Sequence, residues 1–178
     1  MIILGLDIST TVTGYSLINT DLSQSNCIVE FDGIHLSKKK SLYDKADLIK
    51  KEFLSLSKNY KIDLIFAEES LQSFRRGLSS AKTLSTLSRF NGIVSWLCVE
   101  TFEIEPEMIA ASSARKKVGV KIQKGEKAKE KSFHFVLANE PSFVVEYTKN
   151  GNPRPGSMDK SDSWIIAKAG LLICNQKS

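Results

Sequence analysis

Cysteine and histidine are scarce in this sequence. Among 178 residues there are three cysteines and two histidines. Cys27, Cys98 and Cys174 are scattered and form no CxxC pair, and His35 is distant from His134 along the chain. These absences exclude a disulfide-stapled secreted domain and a zinc site of the usual spacing, and they favour a reducing compartment.

Long apolar runs are also lacking. No stretch approaches the ~18–20 apolar residues of a membrane span. The N-terminal apolar run has no basic region before it and is interrupted at Asp7, which is not the pattern of a signal peptide. We therefore expect a cytoplasmic protein that does not act in a membrane.

Charge is nearly balanced over the whole chain, with 25 Lys and Arg against 20 Asp and Glu. The net charge of +5 is unevenly spread, because Lys116–Lys131 contains seven lysines and only two glutamates. Such a stretch suits a polyanionic partner or forms a solvated face. The length is that of one ordinary domain, so we expect a single unit over residues 1–178.

Two short apolar runs end in acids. Met1–Leu17 predicts two strands around a turn rich in serine and threonine, and Ile62–Ala67 predicts another buried strand. Asp7 closes the first run, and Glu68 with Glu69 follows the second. Ligands bind at the carboxyl ends of strands in open α/β sheets, although an isolated acid there is also an ordinary turn former.

Helical patterns separate and follow these strands. Ser41 and Asp44 have capping-box spacing and predict a helix to about Leu56. A long helix is predicted over Ser79–Val99, with a stripe of small residues that suits close packing against the sheet or against the same helix of a second subunit. The stripe consists of Ala81, Ser85, Ser88, Gly92 and Ser95.

The remaining elements are predicted from composition and turn residues. They are strands at Cys27–Leu36 and Thr101–Ile104, helices at Glu107–Lys116 and Gly125–Asn139, a long loop at Asn139–Met158, and a last helix at Asp159–Asn175.

The last helix supplies two more acids. Its apolar stripe includes Ile165 and Ile166, and stepping back three and four residues puts Asp162 on the same inward face. Asp159 lies one turn earlier, where an acid also serves as a helix cap. Asp162 points towards the sheet and needs a positively charged partner, which this helix does not supply.

Asp7, Glu68, Asp159 and Asp162 are therefore expected to converge. Four carboxylates without intervening bases repel one another and raise one another's pKa values. Divalent cations relieve this repulsion, and Mg²⁺ favours carboxylate oxygens, water and phosphate. Two such ions about 4 Å apart support an in-line phosphoryl displacement. The pattern indicates metal-dependent phosphodiester hydrolysis.

Four stretches resemble those of one nuclease family. LGLDISTTVTGYSLI resembles the opening of RuvC-type Holliday junction resolvases, which belong to the RNase H-like superfamily. FAEES is similar to that family's second acidic motif, DKSDSWIIAKA to its last, and Ala114–Lys131 to its DNA-contacting region. The resemblance covers almost the whole chain. It implies an α/β fold with an RNase H-like mixed sheet and helices on both faces.

The resemblance also implies functional roles. The protein would be a hydrolase that resolves four-way DNA junctions in recombination and repair, as a homodimer that makes two symmetric cuts. Its ligands for two Mg²⁺ ions, which Mn²⁺ can replace, would be Asp7, Glu68, Asp159 and Asp162, with Glu68 chosen over the adjacent Glu69 because it matches the motif better. The small-residue helix would form the dimer interface. The residues implied to bind DNA are Phe74, Arg75, Arg76, Lys116, Lys117, Lys121, Lys124 and Lys127, with Lys117 or Lys127 closest to the scissile position.

Three alternatives stay open. LGLDISTT also fits the phosphate turn of an actin-like kinase, but such enzymes need two domains of this kind, and ATP turnover without DNA would identify one. A second alternative is a nuclease that prefers forks, flaps or RNA–DNA hybrids. A third is a non-catalytic junction-binding module, whose binding would be sensitive to salt but indifferent to loss of Asp7.

Overall fold

A computed structural model describes residues 1–22, 27–69 and 81–177. Within these ranges a mixed sheet of five strands has the order β3-β2-β1-β4-β5. The three N-terminal strands are antiparallel, whereas β4 runs parallel to β1 and β5 runs parallel to β4. The strands are β1 (Ile2–Asp7), β2 (Val12–Asn19), β3 (Ile28–His35), β4 (Leu64–Glu68) and β5 (Glu107–Ile109).

Five helices in the same ranges cover both faces of this sheet. They are α1 (Leu42–Asn59), α2 (Ala81–Phe102), α3 (Ala111–Val118), α4 (Ala128–Asn139) and α5 (Ser157–Lys177). One apolar core lies between the sheet and α1 with α2, and the other lies between the sheet and α3, α4 and α5. The predicted α/β class, with a mixed sheet and helices on both faces, is confirmed. None of the described helices has the length and hydropathy needed to span a membrane.

The first helix begins where the sequence predicts. The Ser41 side chain accepts a 3.0 Å hydrogen bond from the backbone N–H of Asp44, which satisfies a donor that the helix itself leaves unpaired. Ile49, Phe53 and Leu56 follow at intervals of four and three and are buried against the sheet. The strand predictions at Met1–Leu17, Cys27–Leu36 and Ile62–Ala67 are likewise confirmed, to within a residue or two at most ends.

Helix α5 lies directly on the sheet because two glycines make room for it. A Cβ atom on Gly5 would collide with the backbone of Ser163, and one on Gly14 would collide with the backbone of Asp159. Gly14 is also the cross-strand partner of Asp7. These contacts hold the first turn of α5 beside the carboxyl end of β1, so Asp159 and Asp7 lie at the same edge of the sheet.

Two predictions in the middle of the chain are wrong. Thr101–Ile104 is not a strand, because α2 continues to Phe102 and Glu103 then takes a left-handed φ of 59°. Glu107–Ile109 is not helical but forms β5, which pairs with Phe66–Glu68. This pairing is non-local, so the local pattern that predicted a helix after Pro106 could not reveal it. The lysine-rich helix begins at Ala128 rather than Gly125, whose φ is 91°.

The small-residue stripe of α2 does not pack on the sheet, which removes one of its two predicted roles. The residues of α2 that are buried are Phe90, Asn91, Val94, Leu97 and Cys98. This face is larger and more apolar than the small-residue stripe, so its burial removes more apolar surface from water. Ala81, Ser85, Ser88 and Gly92 are exposed, and a Cβ added at Gly92 would meet open space.

Candidate active site

Four carboxylates meet at the edge of the sheet where β1 and β4 end. Asp7 is the last residue of β1, and Glu68 is the last residue of the neighbouring parallel strand β4. Asp159 and Asp162 lie in the first two turns of α5. Asp7 is 6% exposed and Asp162 is 2% exposed. The structure therefore brings together the four acids that the sequence singles out.

The carboxylates destabilise one another's charge. Burial raises the pKa of Asp7 well above its ordinary value, and the charges of Glu68, Asp162 and Asp159 raise it further. Burial also raises the pKa of Glu68, with Asp162 as the next cause, while Arg115, a hydrogen bond with Asp7, and Lys129 act in the opposite direction. Among the described residues, Arg115 and Lys129 are the cations that lower the pKa values of these two acids.

Lys129 brings a positive charge to the centre of the cluster. Its Nζ lies 3.1 Å from Asp159 Oδ1, 3.5 Å from Asp162 Oδ2 and 3.6 Å from Asp7 Oδ2. Burial by itself lowers the pKa of Lys129, but these three carboxylates more than offset that effect and raise it. The side chain is about half exposed, so the ammonium group reaches the carboxylates from the surface.

Arg115 holds one of the acids from behind. Its Nη2 donates a 3.1 Å hydrogen bond to Asp162 Oδ1, and its Nε donates a 2.9 Å hydrogen bond to Ser132 Oγ. The guanidinium group is fixed at two points, so it fixes the Asp162 carboxylate in turn. The other oxygen of Asp162 is thereby directed towards Asp7 and Lys129.

The donor set fits a hard divalent cation. Within the described residues, Asp7 Oδ2 and Asp162 Oδ2 are buried without a hydrogen-bond partner, and unsatisfied carboxylate oxygens of this kind are costly in a protein interior. All candidate ligands are oxygen atoms, which suits Mg²⁺ or Mn²⁺ better than zinc. No three His, Cys, Asp or Glu side chains of the described ranges already adopt metal-site geometry. The point on which Asp7, Asp159 and Asp162 converge is the Lys129 ammonium group.

Glu68 and Glu69 are distinguished by where they lie. The Glu68 side chain interacts with Asp7 and Asp162, whereas Glu69 is exposed. The backbone N–H of Glu69 donates a 3.0 Å hydrogen bond to the Ile109 carbonyl, which continues the pairing of β4 with β5. The geometry therefore favours Glu68 as the member of the acidic cluster.

No family model matches the sequence, and no curated protein matches it. Solved structures do resemble the fold. Thermus thermophilus RuvC superposes with a TM-score of 0.70 at 16% identity, over 99% of this chain and 97% of that one. The chain has the RuvC-type fold. T. thermophilus RuvC in complex with a Holliday junction substrate gives a TM-score of 0.68 at 14% identity, over 99% and 96% of the two chains. The yeast mitochondrial Holliday junction resolvase Ydc2 gives 0.61 at 15% identity, over 99% and 84%.

The RuvC-type fold agrees with the predicted mixed sheet that has helices on both faces. The predicted DNA-binding lysines lie in α3 and in the segment between α3 and α4. Lys116, Lys121, Lys124 and Lys127 are exposed, whereas Lys117 is partly buried and donates a 2.7 Å hydrogen bond to Gln176. A cavity of about 460 Å³, here called the basic groove, is lined by Ser112, Arg115, Lys116, Gly119, Val120, Lys121, Ile122 and Ala128. Phe74, Arg75 and Arg76 lie outside the described residues.

Arg115 and Lys129 are the two residues of the candidate site that the sequence did not indicate. The helix predicted over Gly125–Asn139 is rich in lysine, and we expect its lysines, Lys129 among them, to point mostly outwards into solvent. The spacing of Lys129, four and seven residues from the buried Phe133 and Val136, is a signal that it lies on the inward face of α4. Arg115 follows the buried Ala114, but nothing in the sequence relates it to Asp162.

Proposed function

We propose that this protein is a divalent-metal-dependent endonuclease that resolves four-way DNA junctions by hydrolysing phosphodiester bonds. The observation that carries the proposal is the convergence of Asp7, Glu68, Asp159 and Asp162, with two buried oxygens that have no hydrogen-bond partner in the described part of the chain. Structure-specific DNA is the favoured substrate because T. thermophilus RuvC, which shares the fold, is described with a Holliday junction substrate.

The four acids are the proposed ligands for Mg²⁺, with two ions in the site and Mn²⁺ as a substitute. Bound metal would supply an activated water and stabilise the leaving oxygen. Arg115 positions Asp162 by holding its Oδ1. Arg115 and Lys129 together offset part of the negative charge that would otherwise repel an approaching DNA phosphate.

Substrate binding is proposed to use the basic groove and the lysines beside it. Lys116 and Lys121 line this groove, and Arg115 connects it to the acidic cluster. A DNA strand that follows the groove would therefore pass from exposed lysines to the carboxylates. Contacts of lysines with phosphates give affinity without base specificity, which suits recognition of branched structure.

A homodimer is proposed because a four-way junction has two symmetric strands to cut. The exposed small-residue stripe of α2 continues at intervals of four and three to Trp96, which is 59% exposed, and Val99, which is 44% exposed. Antiparallel pairing of two α2 helices would seat Trp96 of each copy on the small residues of the other, as ridges pack into grooves. The second subunit would use the same stripe, as two-fold symmetry requires.

The test uses a labelled four-way junction, with linear duplex and fork controls, in Mg²⁺ and in chelator. The wild type should make paired nicks near the branch point in Mg²⁺ only. Asp7→Asn should bind the junction and leave it uncut, whereas Asp47→Asn, a matched change at an exposed acid of α1, should cut normally. Undiminished cutting by Asp7→Asn would refute the acidic site.

Other outcomes of the same experiment distinguish the remaining candidates. Preferential cutting of forks or RNA–DNA hybrids would keep the metal-dependent nuclease and change its substrate. Binding of the junction without nicks in either Mg²⁺ or Mn²⁺ would favour a non-catalytic module. ATP turnover without DNA would favour the kinase alternative.

A further inference from the structure

A second cavity lies on the other side of the acidic cluster. It has a volume of about 400 Å³ and separates the turn after β1 from the first turns of α2. This cavity is here called the hydroxyl groove. Its polar lining residues are Ser9, Thr10, Thr11, Lys82, Thr83 and Thr86. None of its described lining residues is an acid, and Leu87 completes its wall.

The hydroxyl groove begins next to the candidate active site. Ser9 follows Asp7 by two residues, so the two Cα atoms are within about 7 Å of each other. The opposite wall is also anchored at this edge, because Asn91 of α2 donates a 3.2 Å hydrogen bond to the carbonyl of Glu68. The groove adjoins the α1–α2 face of the sheet, whereas the basic groove adjoins the α3–α5 face. The carboxylates therefore lie between two grooves that contain lysines.

The turn that forms one wall is fixed by its own hydrogen bonds. Ser9 Oγ accepts from the backbone N–H groups of Thr11 and Val12, each at 3.2 Å. Lys45 of α1 donates a 2.6 Å hydrogen bond to the Thr10 carbonyl, which brings a second ammonium group beside the groove. Ser9 Oγ itself donates to the Val12 carbonyl, and Thr86 Oγ1 donates to the Lys82 carbonyl. The Thr10 hydroxyl and the ammonium groups of Lys82 and Lys45 are therefore the groups suited to donate to an anion such as phosphate, which accepts hydrogen bonds from both kinds of donor.

We propose that the hydroxyl groove binds a backbone phosphate of the cleaved strand on the side of the scissile position opposite to the basic groove. This inference rests on the proposed function. A DNA strand carries a charge at every nucleotide, so its approach to four carboxylates is repulsive unless cations hold the neighbouring phosphates. Lys82 and Lys45 supply such cations on one face of the sheet, and Lys116 and Lys121 supply them on the other. A free nucleotide offers the same phosphate chemistry.

The test replaces one group on each wall, in the variants Lys82→Gln and Thr10→Val. The control is Lys58→Gln, which removes an exposed charge from the last turn of α1 and away from the carboxylates. Junction affinity is measured in chelator at salt concentrations from about 50 to about 200 mM, a range over which affinity from phosphate contacts falls steeply. Lys82→Gln should weaken binding about fivefold and reduce the salt slope by about one, and Lys58→Gln should change neither. Thr10→Val should weaken binding with little change in slope, because a hydroxyl group carries no charge.

A wild-type salt slope for Lys82→Gln, or an equal loss in Lys58→Gln, would overturn the inference while leaving junction binding by the wild type intact. If the wild type binds no DNA, the proposed function fails, and thymidine monophosphate is then titrated against the wild type and Lys82→Gln. Binding that depends on Lys82 would assign the groove to a free nucleotide phosphate, and its absence would overturn the groove as a phosphate site.

Discussion

Replacing Asp7 by Asn should make the metal-free protein more stable. Asp7 is buried at 6% exposure, and three other acids raise its pKa. Its Oδ2 has no hydrogen-bond partner among the residues that the structure describes. Among the described residues, Lys129 is the one cation within salt-bridge distance of Asp7, with its Nζ 3.6 Å from Asp7 Oδ2. Desolvation of a buried ion costs several kcal/mol, of which this single contact recovers a part. We therefore expect Asp7→Asn to raise the free energy of unfolding by about 1–3 kcal/mol in chelator at neutral pH.

The pH dependence of this difference follows from the raised pKa of Asp7. Below 3.8, the ordinary pKa of the group, both folded and unfolded states bind the proton and the charge costs nothing. As the pH rises, the unfolded state releases the proton first, so the wild type loses stability until the folded state also ionises. The advantage of Asp7→Asn should therefore be absent near pH 3.5 and should grow towards neutral pH. Asp47→Asn, which changes an exposed acid, should show no such trend.

Mg²⁺ should reverse the order of the two proteins. A ligand that binds only the native state stabilises it by about 2.7 kcal/mol at a hundred times its Kd. The wild type should gain this stability, whereas Asp7→Asn lacks a proposed ligand and should gain much less. The assay is urea unfolding followed by circular dichroism, in chelator and in a series of Mg²⁺ concentrations. Lower stability of Asp7→Asn in chelator would refute the desolvation argument, and equal stabilisation of both proteins by Mg²⁺ would refute Asp7 as a ligand.

Three further changes test other parts of the structure. Replacing Lys116, Lys117 and Lys121 together by Gln should weaken junction binding and lower the salt slope by up to about three, as measured by fluorescence anisotropy, and an unchanged slope would remove these lysines from the interface. Trp96→Glu places a charge in the proposed α2 interface and should reduce the mass measured by light scattering from that of a dimer to that of a monomer. An unchanged dimer mass would show that α2 is not the interface. Glu140→Ala should lower the free energy of unfolding by about 3 kcal/mol in a urea titration. The reason is that the buried Glu140 carboxylate accepts hydrogen bonds from the Cys27 backbone N–H and from the Trp164 indole, each at 3.2 Å. A loss below about 1 kcal/mol would contradict this.

The elements that the sequence predicted well are those whose pattern is set by their own burial. The continuous apolar runs of β1 and β4 indicate strands that are covered on both faces, and the cap at Ser41 marks the start of α1. The strand β5 was not predicted because three residues, two of them exposed, form it only by pairing with β4. The small stripe of α2 was ambiguous for a related reason, since periodicity shows that a face exists but not which neighbour covers it.

The same distinction explains which part of the candidate site was visible in the sequence. Asp7, Glu68 and Asp162 are placed by elements of the central core, so their convergence follows from strand ends and helix periodicity. Arg115 and Lys129 come from α3 and α4, which pack on the outside of α5, and only that packing decides which of many basic side chains reaches the acids. The position of Asp162 depends both on the periodicity of its own helix and on the packing of α3 and α4 against that helix. Its helix turns it inwards, Arg115 holds one of its oxygens, and the other oxygen faces the Lys129 ammonium group at 3.5 Å, where a metal cation could take its place.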